Sequence, residues 1–118
     1  MAYDPDFGEW VREHFAALGP LEIKRMFGAA GVYSGGVMFA LLDDGVVWLK
    51  GGEANIAALE KAGGRPFTYA TKDGEKNLGY WSLPETAVDD PDEAVAWARG
   101  AIDVALTKAA KKPRKTKA

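Results

Sequence analysis

Lys24-Arg25-Met26-Phe27-Gly28-Ala29-Ala30-Gly31-Val32-Tyr33-Ser34-Gly35-Gly36 mixes two cations, large apolar side chains and four glycines in thirteen residues. A strand tolerates that composition only where it bends, bulges or receives another backbone closely. The stretch predicts a long, broken first strand over residues 22–34. Its glycines could free backbone N–H groups to hold an anion, or shape an edge that accepts a partner. On residue chemistry alone, a bulged strand that serves only the sheet is the favoured reading.

Downstream, Val37–Leu42 and Val46–Lys50 read as a second and third strand. Gly35-Gly36 and Asp44-Gly45 supply the positive φ angles of tight hairpins, so the three strands form an antiparallel meander. Regular alternation in the second strand puts Val37, Phe39 and Leu41 on one face and Met38, Ala40 and Leu42 on the other. It is therefore apolar on both, and something beyond one helix layer is expected to cover the second face. Further on, Glu53–Ala62 reads as a short helix stopped by Gly63-Gly64. A second hairpin follows, Pro66–Lys72 and Glu75–Leu83 around Asp73-Gly74, carrying Phe67, Tyr69, Tyr80 and Trp81.

Two longer helices flank this set. Asp4-Pro5-Asp6 is a helix start, with Phe7, Trp10, Val11, His14, Phe15 and Leu18 on one face and Gly19-Pro20 as the stop. His14 is the only histidine. With no cysteine nearby, it reads as a packed or boundary residue, not a metal ligand. Asp89-Asp90-Pro91-Asp92-Glu93 opens the last helix, Asp90 as cap and Glu93 as its capping-box partner. Val95, Ala98, Ile102, Ala105 and Leu106 form its inner stripe. The order is α-β-β-β-α-β-β-α, a two-layer α+β fold with an antiparallel sheet. Residues 1–106 form the domain and 107–118 a basic tail expected to be disordered or frayed.

The 118 residues suit one compact domain, and 47% hydrophobic with 27% charged residues is an ordinary globular mix. The net charge of −2 hides a division: residues 1–106 carry −8 and the last twelve +6. An acidic body is not built around a nucleic-acid groove. Lys108, Lys111, Lys112, Arg114, Lys115 and Lys117 offer a tail for weak, non-specific nucleic-acid contact instead. The absence of cysteine removes disulfides and thiolate chemistry. No nucleophile elbow, phosphate loop or dinucleotide fingerprint appears, and the paired aspartates fall at turns and caps. The expectation is a non-enzyme with no cofactor, no metal and no membrane segment.

Arg25-Met26-Phe27-Gly28 followed by Gly31-Val32-Tyr33 resembles the opening motif of the N-terminal domain of the TfoX/Sxy family of competence regulators. The likeness runs from about Phe7 to Ala105. It includes Phe39-Ala40-Leu41 with Gly45 and Leu49-Lys50, Pro66-Phe67-Thr68-Tyr69, and Tyr80-Trp81-Ser82-Leu83-Pro84-Glu85. The resemblance implies an α+β fold, a cytoplasmic bacterial protein and a recognition role beside a transcription factor, with no catalytic residues to carry over. It marks Arg25, Phe27, Gly28, Gly31 and Tyr33 as candidate partner-binding residues. The partner is then a protein, either a transcription regulator or a second copy. A nucleic-acid module using the basic tail and strand aromatics is the alternative.

Overall fold

The computed structural model describes residues 4–26 and 28–111. Helix α1 (Pro5–His14) leads through a 3₁₀ turn at Ala16–Leu18 into four consecutive strands, β1 (Glu22–Met26), β2 (Ala29–Ser34), β3 (Val37–Asp43) and β4 (Val46–Lys50). Helix α2 (Ile56–Lys61) crosses to a hairpin, β5 (Pro66–Thr71) and β6 (Gly74–Ser82). A short helix α3 (Glu85–Val88) and the long α4 (Pro91–Lys111) complete the chain. The six strands form one antiparallel sheet in the order β1-β2-β3-β4-β6-β5, with helices added in the manner of an α+β fold.

The expected single strand over residues 22–34 is two strands. The pairing runs from Glu22 opposite Tyr33 to Met26 opposite Ala29, so the chain reverses between Met26 and Ala29. Gly28 makes this possible with φ 81°, a left-handed value that costs glycine nothing. The other turns are as expected: Gly35, Gly36, Asp44 and Gly45 all have positive φ.

A bulge decides which face each β3 residue serves. Val32 pairs with Ala40 but Tyr33 pairs with Met38, leaving Phe39 as the extra residue. The insertion resets the alternation. Val37, Phe39, Ala40 and Leu42 consequently join the cluster shared with the helices, while Met38 and Leu41 belong to a second cluster. The strand is apolar on both faces, but Leu41 does not share a face with Phe39.

All four helices pack into the first cluster. α1 contributes Val11, α2 Leu59, α3 Ala87, and α4 the row Ala94, Ala98, Ala101 and Ala105. These small side chains let α4 lie close over β3 and β4, and Phe15, Leu42, Leu49 and Trp81 fill the space around them. Asp4 Oδ1 accepts from Asp6 N at 3.0 Å, and Asp90 Oδ1 accepts from Asp92 N at 3.0 Å and Glu93 N at 3.3 Å, so both helix starts are capped as their sequences imply. Glu93 does not close a box. Asp90 N donates to Ala87 O at 3.3 Å, and Glu93 Oε2 instead accepts from Thr86 Oγ1 at 2.7 Å and Trp97 Nε1 at 3.2 Å, tying α3 to α4. Helix α4 continues to Lys111, five residues past its expected inner stripe. No helix among the described residues is long and apolar enough to cross a membrane.

Candidate interaction face

The sheet face turned away from the helices carries the second cluster: Leu41, Trp48 and Tyr80, with Met38, Val46 and Phe67 packed against them. Strand register explains the grouping. One row crosses five strands as Lys24, Gly31, Leu41, Trp48 and Ser82, each opposite the next. The neighbouring row brings Glu22, Tyr33 and Met38 together on β1 to β3 and continues in the same direction as Lys50 with Tyr80 on β4 and β6. Gly31 is buried because Met38 lies across it: a Cβ there would stand 2.9 Å from Met38 Sδ.

Cations cover the rings. Lys24 Nζ lies 5.0 Å from the centroid of Tyr33, Lys50 Nζ 5.1 Å from that of Tyr80, and the Arg65 guanidinium carbon 5.7 Å from that of Trp48. Trp48 and Phe67 pack with their rings tilted by 50°, 4.8 Å between centroids. Each cation keeps its charged end at the surface while its stem shields aromatic area, which is why Leu41, Trp48 and Tyr80 are only 8% exposed without a helix above them. Burial raises the Tyr80 pKa, and the nearby Tyr33 phenol raises it further, so Tyr80 stays a neutral donor. Trp48 Nε1 is buried without a hydrogen-bond partner.

At the end of the sheet, next to Arg65, a half-open cleft of about 750 Å³ lies between α1, the β3–β4 turn and α3. Phe7, Trp10, Val46, Leu83 and Val88 give it apolar walls, and Arg65, Glu85 and Asp89 stand among them. Val88 is 42% exposed there. His14 borders this end of the fold, stacked on Trp10 at 4.4 Å. Its Nε2 lies 2.8 Å from Ala87 O, so that nitrogen carries the proton and joins α1 to α3.

The five residues singled out in the first two strands divide. Gly31 and Tyr33 sit on the helix-free face. Arg25 pairs with Ala30, whose side is the helix side, and it is exposed near the sheet edge. Gly28 is in the turn, and Phe27 lies outside the described residues. Lys108 is exposed on the last turns of α4 and Lys111 ends that helix; Lys112, Arg114, Lys115 and Lys117 lie outside the described residues. Trp48, Lys50 and Arg65 of this face are not among the candidate site residues, and Lys50 enters the resemblance only through the Leu49-Lys50 segment. The signal for the first two was the alternation Val46, Trp48, Lys50 against Val47, Leu49. Arg65 has no such signal, because it precedes its strand.

The recurring segments named above mostly build this frame. Phe39 and Ala40 fill the core, and Tyr80 to Pro84 form an unbroken buried run. Within it Ser82 Oγ accepts from Arg65 N at 2.9 Å, fixing the residue that caps Trp48. The model of the TfoX N-terminal domain matches residues 13–105, which is most of the chain. The chain belongs to the TfoX N-terminal domain family. No curated protein matches it as a relative. In this TfoX N-terminal domain the matched span starts within α1 and ends in α4, so it contains the whole sheet and both of its faces.

Proposed function

We propose that this TfoX N-terminal domain is a small regulatory protein-interaction module, a transcription co-regulator, whose partner seats on the helix-free face of the sheet. The observation that carries the reading is the second apolar cluster, built from strand residues alone and rimmed by Lys24, Lys50 and Arg65. A sheet face left to solvent normally alternates to polar residues, and aromatic and Arg side chains are the types that most often anchor interfaces. A second copy is one candidate partner and another regulator the other.

The same aromatics and cations favour a second reading, a single-stranded nucleic acid stacked on the sheet. Against it, Trp48 and Tyr80 are almost fully buried and each ring already has a cation beside it, leaving little free ring face for a base. The test is a pull-down from the native cell, with and without nuclease, using the parent chain, Tyr33→Ser, Met38→Asp and a control, Leu106→Asp, exposed on α4 away from this face. The proposal expects a protein that survives nuclease, is lost with the two face variants and is kept with the control. Loss of all captured material on nuclease treatment favours the nucleic-acid reading.

A further inference from the structure

Resting on the protein-interaction reading, we infer that the partner of the helix-free face is a protein segment presenting a carboxylate flanked by apolar side chains, received by Trp48 Nε1 and Arg65.

Trp48 Nε1 is the buried side-chain polar atom, among the described residues, that has no hydrogen-bond partner. Native proteins rarely leave such a donor unmet, because its desolvation is uncompensated. Two other indoles of this chain show what suits them: Trp81 Nε1 donates to Glu60 Oε2 and Trp97 Nε1 to Glu93 Oε2, each at 3.2 Å. Both partners are carboxylates. Trp48 differs in lying on the face away from the described helices.

Arg65 and Lys24 on the same face suit the same complement. The Arg65 guanidinium lies over the Trp48 ring, and Lys50 and Lys24 stand over the neighbouring phenols. Indole N–H, guanidinium and ammonium are all donors with no acceptor capacity. Among the described residues of β1 to β4, the carboxylates of this face, Glu22 opposite Tyr33 and Asp43 opposite Val46, lie in other rows than the one containing Trp48. Half-buried Met38, Val46 and Phe67 border the donors and suit apolar side chains beside the carboxylate. Arg65 is exposed, so its side chain can swing from the ring to form a paired contact with the carboxylate. A polyanionic strand fits less well, since residues 1–106 carry −8.

The experiment pans a random peptide library displayed on phage against the immobilised full chain. Enriched peptides are then synthesised and titrated against the parent, Trp48→Phe, Arg65→Gln, Arg65→Lys and Met38→Asp, with an oligothymidylate as the polyanion arm. The inference expects peptides enriched in Asp or Glu next to apolar residues. Binding should weaken about tenfold in Trp48→Phe and in Arg65→Gln, the loss typical of one charge-assisted hydrogen bond, and recover in part in Arg65→Lys. Circular dichroism confirms that each variant is folded. Peptides without acidic residues that still lose binding in Met38→Asp overturn this inference and leave the protein-interaction reading standing. Failure to enrich any peptide sensitive to the face variants overturns both. Tight oligothymidylate binding that disappears in Trp48→Phe replaces the carboxylate by a phosphate and overturns the inference as well.

Discussion

Phe39 and Leu41 sit two residues apart on β3, and regular alternation would give them the same neighbours. The bulge at Phe39 separates them, so alanine at the two positions has different consequences. Phe39 is 1% exposed inside the cluster shared with the helices, where little can collapse into the space it leaves. Phe39→Ala should cost roughly 3–5 kcal/mol, the range for large-to-small changes in a close-packed core. Leu41 is bordered by Met38 and Val46, half-buried side chains on a face without helices. Methionine is unbranched and fills gaps readily, so Leu41→Ala should cost about 2 kcal/mol, the low end of the range for such a change. At about 3–5 °C per kcal/mol for a domain of this size, the melting temperature should drop by roughly 9–25 °C for Phe39→Ala and about 6–10 °C for Leu41→Ala. Thermal and urea denaturation followed by circular dichroism give both values. Equal losses, or the larger loss at Leu41, would refute the assignment of the two residues to different faces.

Three further outcomes follow from the geometry. Gly64→Ala should cost several kcal/mol in the same melts, because its Cβ would lie 2.9 Å from two backbone oxygens, Leu59 O and Ser82 O, that cannot move aside; a near-neutral effect would contradict that packing. Tyr80 has a folded pKa raised above its unfolded value, so its stabilising effect is complete below about pH 10 and is lost as pH climbs through the folded pKa. Absorbance titration should show one phenol ionising late, and Tyr80→Phe should remove that step. Truncation after Lys111 removes four of the six cations in the last twelve residues, so binding to oligothymidylate should be in the weak, salt-sensitive range of roughly 10⁻⁴–10⁻⁶ M for the full chain and weaker still for the shortened one, by fluorescence anisotropy. Nanomolar binding that survives truncation would place the nucleic-acid contact on the body.

The local signals of the sequence carried most of the fold. Helix starts at Asp4-Pro5 and Asp90-Pro91 and the turns at Gly35-Gly36 and Asp44-Gly45 are backbone chemistry written in single residues, and the structure uses each of them. What the sequence hid depends on partners distant in the chain. The Met26–Ala29 reversal looks like a bend until β2 is paired with β3. The Phe39 bulge is invisible in a strand where every residue from Val37 to Leu42 is apolar, since no polar residue marks the change of parity. For the same reason the candidate face was only partly legible: Tyr33 and Gly31 stood out through their motif, whereas Arg65 reaches Trp48 only after β5, β6 and β4 are brought side by side. Arg25 drew attention by the same motif but register places it on the helix side.

The most direct measurement of the central claim uses the indole N–H signals in a ¹⁵N-resolved NMR spectrum of the full chain, which has four tryptophans. Trp81 and Trp97 already donate to carboxylates beside the helices, whereas Trp48 Nε1 has no partner. On addition of a partner captured from the cell, or of a peptide selected as above, the Trp48 signal should move downfield and exchange more slowly with solvent. The Trp81 and Trp97 signals should stay in place. A bound partner that leaves Trp48 unmoved while shifting the helix-side indoles would contradict the assignment of the helix-free face as the interaction surface.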